Sequence, residues 1–169
     1  MLKNVVKKGV PVVFHELVNR QISSVIVDFF NSEVYFILKC LDTGNYSLLV
    51  AYHEQDCCET VELLEEDPNL EKKLKKMCGE RIVSVSEKIV DISDEVSDDS
   101  GTATFYDLRS HAGETTFRWH GESNGYYSER VDFCDLCLTS EIEKDLNKAY
   151  RWTHNSAVII NRKPLSKEY

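Results

Sequence analysis

The stretch His53-Glu54-Gln55-Asp56-Cys57-Cys58-Glu59 is the strongest indication of the fold in this chain. It places polar and reactive residues between two strand-like segments. It follows the apolar segment 46–52 and precedes residues 58–64, in which apolar and polar side chains alternate. A period of two is typical of a strand with one face in a core. The stretch is therefore predicted to be a polar corner that joins two strands.

A second polar stretch, WHGESNGYYSE at residues 119–129, has the same position further along the chain. When the two corners are laid over one another, Cys57-Cys58 matches Tyr126-Tyr127, and residues 61–63 match 131–133. We expect both corners at the same end of the sheet, so that any site is built from the two together.

Strand, turn and helix signals around the corners predict an α+β fold: a mainly antiparallel, curved sheet with two packed helices. Gly44 supplies the positive φ of a hairpin turn, and Asp67 and Thr139 are predicted helix N-caps. The predicted strands cover residues 22–30, 34–41, 46–53, 58–64, 81–92, 102–109, 114–120, 126–133 and 152–160, and a polar tail follows at 161–169.

The length of 169 residues predicts one domain, residues 1–169. The order of predicted elements is the same in residues 33–92 and 102–161. An internal duplication of a βββα unit explains this order, and so do two convergent β-meanders, because alternating patterning alone produces such similarity. The Asp-, Glu- and Ser-rich segment 93–101 is predicted to be a flexible loop.

The formal net charge of −9 argues against non-specific binding to nucleic acid, which needs clustered Lys and Arg. The same charge suits docking onto a basic partner surface. The sequence contains no apolar run long enough to predict a membrane span, and the N-terminus lacks the features of a secretory signal. Six cysteines without an export signal predict reduced thiols in a cytosol.

Two strings in the corners, HEQDCCETV at residues 53–61 and RWHGESNGYYSE at 118–129, are distinctive. They resemble segments of a family of small, uncharacterised proteins found mainly in bacteriophages and prophages, with the patterns HxQDCCExV and RWxGxSNGYYSE. The resemblance covers residues 46–133. It implies a phage or prophage setting in the cytosol of a bacterial host, and it implies no activity.

The cysteines raise the possibility of a zinc site, for which the candidate ligands are Cys57, Cys58, Cys134 and Cys137. The Cys-x2-Cys spacing at 134–137 allows two thiolates to share one ion. A strong zinc signature needs two such pairs, and this chain has one. We therefore predict no metal and no other cofactor, with zinc as the alternative.

The corners also contain residue types that catalyse hydrolysis. Cys57 or Cys58 as nucleophile, with His53 or His120 as base and Asp56 or Asn124 as orienting group, would make a triad-like arrangement. Paired carboxylates would offer acid and base instead, the candidates being Glu59, Glu122 and Glu129. A small hydrolase or metalloprotein centred on residues 53–59 is the alternative function.

The mixture of aromatic and directional polar side chains favours binding over catalysis. We predict a non-catalytic binding protein that either inhibits a host defence factor or sequesters a small nucleotide-like ligand. The competing interpretation is that Trp119 and its apolar neighbours belong to the core and residues 123–125 only form a turn. The candidate binding residues are His53, Asp56, Glu59, Arg118, Trp119, Ser123, Asn124, Tyr126, Tyr127 and Glu129.

Overall fold

A computed structural model of the chain describes residues 9–149 and 157–160, and among the latter four only the side chain of Ile159 is described. Short 3-10 helices lie at Phe14–Leu17 and Ser93–Glu95. The α-helices are α1 (Leu70–Met77) and α2 (Ser140–Ala149). The strands are β1 (Val10–Val12), β2 (Gln21–Asp28), β3 (Glu33–Lys39), β4 (Tyr46–Tyr52), β5 (Glu59–Leu63), β6 (Ile82–Asp91), β7 (Ser100–Ser110), β8 (Gly113–Ser123), β9 (Asp132–Cys137) and β10 (Ala157–Ile160).

The strands form two antiparallel sheets. One has six strands in the order β1-β9-β4-β3-β2-β10, and the other has four in the order β5-β8-β7-β6. The predicted α+β class, the antiparallel pairing and the two helices are confirmed. The prediction of one sheet is corrected, because β5 and β9 each leave the sheet that contains the preceding strand.

Each sheet contains a meander of three consecutive strands and one strand that crosses over from the other half of the chain, and β1 and β10 are the edge strands of the six-stranded sheet. Strand β9 lies beside β4 in the six-stranded sheet, and β5 lies beside β8 in the four-stranded sheet. The same strand order therefore occurs in residues 21–63 and 82–137, a different division from the predicted 33–92 and 102–161. The two helices pack in different places, and an ancestral duplication stays a prediction.

The main core lies between the two sheets, where alternating side chains of both meet. From the six-stranded sheet, Val34, Phe36 and Leu38 point into this core, and from the four-stranded sheet, Phe117 and Trp119 do so. Helix α1 adds further apolar groups to the same core, namely Leu70, Leu74 and Met77.

Helix α2 covers the opposite face of the six-stranded sheet. Ile142 and Leu146 pack there against Tyr35, Leu48 and Val50. This burial on both faces explains why β3 and β4 are nearly continuous apolar runs. The four-stranded sheet has only one face in the core.

Several predicted boundaries are corrected. Residues 126–133 were predicted as a strand, but 124–131 form the connection between the sheets and β9 begins at Asp132. Helix α1 begins at Leu70, and Asp67 accepts the Asn69 amide from outside the helix. The cap at Thr139 is confirmed, because its Oγ1 accepts the Ile142 amide at 3.3 Å.

Other predicted segments differ from the structure or lie partly outside the described residues. The predicted strand 152–160 is described only as β10, and its residues 152–156 lie outside the described part, as does the tail 161–169. The acidic segment 93–101 contains a 3-10 turn that precedes β7. Its Gly101 packs against Val96, and the Gly101 carbonyl accepts the Ile92 amide at 2.9 Å.

Candidate functional site

The two polar corners meet where the chain crosses between the sheets. The Asn124 amide donates to the Cys58 carbonyl at 3.3 Å, and a ring nitrogen of His53 lies 2.7 Å from the Arg130 carbonyl. The corners lie together as expected, but they connect two sheets and do not lie at the end of a single sheet. The reason is topological: β4 pairs with the strand that leaves the second corner, and β8 pairs with the strand that leaves the first.

A buried His–Glu pair holds the first corner closed. His53 Nε2 lies 2.9 Å from Glu59 Oε1, and the two side chains are 5% and 4% exposed. The same Glu59 oxygen accepts the Asp56 amide at 2.9 Å. A carbonyl oxygen faces Nδ1 and a carboxylate oxygen faces Nε2, so both ring nitrogens have a hydrogen-bonding partner.

The hydrogen bonds of the two histidines bear on the predicted hydrolase, because its triad needs His53 or His120 as a base beside a cysteine. Both nitrogens of His53 are engaged within the corner, and His120 Nε2 pairs with Glu122 at 2.7 Å instead. In the part of the chain described, neither ring is hydrogen-bonded to Cys57 or Cys58. The triad-like arrangement is therefore not assembled in this conformation.

The second corner uses its polar side chains to form its own turn. Ser123 Oγ accepts the Gly125 amide at 3.1 Å, and Asn124 Oδ1 accepts the Tyr126 amide at 3.1 Å. Gly125 has a φ of 77°, in the left-handed region that favours glycine. The competing interpretation of residues 123–125 as a tight turn is thus correct for these contacts, and Tyr126 is left 92% exposed.

Glu129 packs against the inner face of β8 and does not pair with Arg118. Its Oε1 accepts the Ser123 hydroxyl at 2.7 Å, and a Cβ on Gly121 would lie 2.7 Å from the Glu129 Cβ. Glycine at 121 is therefore what allows this close approach. Glu129 Oε2 is buried and has no hydrogen-bond partner among the described residues.

Arg118 and Trp119 lie on opposite faces of β8, and neither lines a pocket with the turn of the second corner. Trp119 is 1% exposed in the main core, edge-on to Tyr106 at 5.5 Å between ring centroids. Arg118 lies on the outer face, where it pairs with Glu66 at 2.7 Å and covers the Phe105 ring. Adjacent residues of a strand point to opposite faces, so the two could not share one pocket.

A groove adjoins the second corner on the inner face of the four-stranded sheet, beyond the end of the apolar core. Its volume is about 480 Å³, within the range of roughly 300–1,000 Å³ of small-molecule sites. Strands β6 and β7 form one wall, and the corner forms the other. The lining residues are Glu87, Ile89, Ser100, Thr102, Thr104, Tyr106, Tyr127, Ser128, Glu129 and Arg130.

The region that holds this groove is shared with a known protein family. Residues 15–133 match the model of a family described as a domain of unknown function, DUF7448. The chain belongs to this family. The DUF7448 region contains both corners and the whole groove, and it ends at the second residue of β9. No curated protein and no solved structure matches the chain.

Within the DUF7448 region, only two of the predicted binding residues, Tyr127 and Glu129, line the groove. Sequence reasoning missed the row Ser100, Thr102, Thr104, which lines it from β7. The signal was present, because these three hydroxyl residues and Tyr106 occur at every second position and so share one face of a strand. Glu87 was missed because only the pairing of β6 with β7 brings it to the Tyr106 hydroxyl, at 3.0 Å.

The four cysteines proposed as zinc ligands are not arranged around one point. Cys134 and Cys137 both lie in β9, and a separation of three puts their side chains on opposite faces. Cys134 is buried under α2, and burial raises its pKa to about 11. Cys57 and Cys58 are exposed in the first corner. In residues 9–149 no group of three His, Cys, Asp or Glu side chains is positioned to hold a metal ion.

No helix in the described ranges has both the length and the apolar composition needed to cross a bilayer.

Proposed function

We propose that this DUF7448 protein is a non-catalytic binding protein that holds a small nucleotide-like ligand in the groove beside the second corner. The observation that carries the proposal is the composition of the two walls. Three Ser and Thr side chains line one wall, and a tyrosine, a carboxylate and an arginine from residues 127–130 line the other.

The residue types suit the parts of a nucleotide. Hydroxyl groups of Thr102 and Thr104 both donate and accept hydrogen bonds, as a base edge or a sugar requires. Glu129 lines the groove, and carboxylates accept hydrogen bonds from sugar hydroxyls. The exposed guanidinium of Arg130 is suited to a phosphate. In this proposal Arg130 binds the phosphate, and Arg118 has no part in the groove.

A binding screen tests this proposal. Thermal shift followed by calorimetry would compare nucleosides with nucleotides, and a ligand at 100 times its dissociation constant should stabilise the protein by about 2.7 kcal/mol. Thr102→Val should weaken binding of both classes, because it removes a hydroxyl from the groove. Arg130→Gln should weaken binding of nucleotides only.

Thr116→Val is the matched control, because Thr116 bonds Asp107 on the outer face of the same sheet. It should leave any binding unchanged. The proposal is wrong if no nucleoside or nucleotide binds, or if Thr102→Val and Thr116→Val weaken binding equally.

A second candidate function is inhibition of a basic host protein, such as a defence factor, in a phage or prophage setting. Two observations favour it: the net charge of −9 and the 92% exposed ring of Tyr126 at the tip of the second corner. Exposed tyrosines are common anchors of protein interfaces. A pull-down from host lysate should capture a partner that Tyr126→Ala loses, and binding should weaken with salt. Capture that is unaffected by both changes would contradict this candidate.

A further inference from the structure

The adjacent thiols of the first corner lie together and are open to solvent. Cys57 and Cys58 belong to a turn, so their side chains do not point to opposite faces as they would in a strand. Their Sγ atoms are 3.2 Å apart, and both residues are exposed. A reagent from solution can therefore reach both sulfurs at once.

The surroundings make the two sulfurs unequal. Cys57 Sγ lies 3.4 Å from the Tyr127 hydroxyl of the second corner, and within the described residues Cys58 makes no hydrogen bond to this hydroxyl. Hydrogen bonds with Tyr127 and Cys58 lower the pKa of Cys57, although desolvation and the charge of Asp56 oppose this shift. The hydrogen bond with Cys57 raises the pKa of Cys58, and Asp56 and Glu59 raise it further. Cys57 is thus the first to become a thiolate, the form that attacks electrophiles.

We propose that Cys57 and Cys58 form a redox modification site, at which a peroxide converts the two thiols into a disulfide within one chain. This inference does not depend on the groove having a ligand. The Cys57 thiolate attacks one peroxide oxygen, the O–O bond breaks, and the leaving alkoxide or hydroxide takes a proton. Cys57 is then a sulfenic acid, oxidised by two electrons.

The second step closes the disulfide. Cys58 attacks the Cys57 sulfur, the S–S bond forms, the S–O bond breaks, and hydroxide leaves with the Cys58 proton as water. The sum is two thiols and one peroxide giving one disulfide, one alcohol and one water, or two waters for hydrogen peroxide. The oxidant is therefore the peroxide alone, and no other reagent is needed.

The product should be easily reduced. Adjacent Cα atoms are about 3.8 Å apart across a trans peptide, below the usual range of roughly 4.4–6.8 Å for disulfides. Such strain favours reduction. Oxidation also removes the hydrogen bond between the Cys57 thiol and the Tyr127 hydroxyl. Because Tyr127 lines the groove, the oxidation state of the two cysteines affects one wall of the proposed binding site.

Peroxide titration of the full chain tests the site. One equivalent should remove two hydrogen atoms from the intact mass, and peptide mapping should find the link between Cys57 and Cys58. An immobilised trivalent arsenical, which bridges paired thiols, should retain the reduced chain and not the oxidised one. Dithiothreitol should restore retention.

Variants separate this site from general thiol oxidation. Cys58→Ser should abolish retention and leave Cys57 as a sulfenic acid that dimedone traps. Cys137→Ser, which removes an exposed thiol elsewhere, should change neither result. Tyr127→Phe should move the pH at which Cys57 reacts to higher values.

Two results would overturn the proposal. One is oxidation of Cys57 no faster than that of Cys137, where we expect a difference of roughly tenfold or more. The other is a peroxide product that links two chains, with arsenical retention that persists in Cys58→Ser.

Discussion

At the scale of single residues, the reactive stretch 53–59 contains one buried pair and one exposed pair. His53 and Glu59 are almost fully buried and bonded within the corner. Cys57 and Cys58 are exposed between them in the chain. The first pair therefore stabilises the crossing, and the second is available to solvent. The sequence alone did not distinguish these two roles, because the burial of each side chain depends on contacts with the second corner.

The buried pair should contribute strongly to stability. Glu59→Ala leaves the His53 ring and the Asp56 amide without their acceptor, and it should reduce the free energy of unfolding by about 3 kcal/mol. Urea denaturation measures the loss.

Glu71→Ala is the control for that prediction, because its pair with Lys75 is 57% exposed on both sides. It should cost less than about 1 kcal/mol. Equal losses in the two variants would mean that the His53–Glu59 pair is not buried as described.

Glu33 should make stability depend on pH. Burial raises the pKa of this carboxyl group, although a hydrogen bond from Tyr35 opposes the shift. The folded state then holds its proton more tightly than the unfolded state does, so stability falls as pH rises from about 4.3 to the raised value. Glu33→Gln should remove this part of the fall in urea titrations.

The matched control is Glu114→Gln, at a side chain that is 68% exposed. It should leave the pH profile of stability close to that of the wild type. A Glu33→Gln profile parallel to the wild-type profile at all pH values would contradict the argument.

At the scale of elements, helix α2 is the cover of the six-stranded sheet's outer face. Its sequence predicted an apolar face and a Thr139 cap, and both are observed. Which surface that face covers was not predictable, because an amphipathic pattern specifies an apolar stripe without naming its partner. For strand β9 the prediction was wrong, because its predicted start was too early. Polar residues in the loop that connects the sheets can produce the same alternation of polar and apolar side chains as a strand.

Leu146→Ala tests the role of α2. Leu146 is 1% exposed against the sheet, and its truncation should cost about 3 kcal/mol through lost burial and a residual cavity. Asn147→Ala, at an exposed position of the same helix, should change stability by less than about 0.5 kcal/mol. Urea denaturation of both compares them. Similar values would show that α2 does not pack on the sheet.

At the scale of the whole molecule, the exchange of β5 and β9 joins the two sheets into one unit. The strand added to each meander is joined by the chain to the meander of the other sheet. Neither added strand can therefore leave its sheet without displacing the other half of the chain. The shared core between the sheets has the same effect, because opening one sheet exposes apolar side chains of both. We therefore expect the sheets to unfold together.

Hydrogen exchange under native conditions measures this coupling. Amides in the middle of β3 and β7 should open with the same free energy, equal to that of global unfolding. An intermediate in which β7 exchanges while β3 stays protected would show two independent units.

The sequence by itself determined the α+β class, most strand and helix positions, the Gly44 and Thr139 signals, and the presence of two polar corners. These features follow from periodicity, caps and turns, which act over a few residues. Only the tertiary structure decided that there are two sheets, that Arg118 faces away from the corners, and that a hydroxyl row lines a groove. Those outcomes depend on which strands pair across more than 60 residues, as in the pairing of Glu59 with Ser123, and local patterning does not specify such partners.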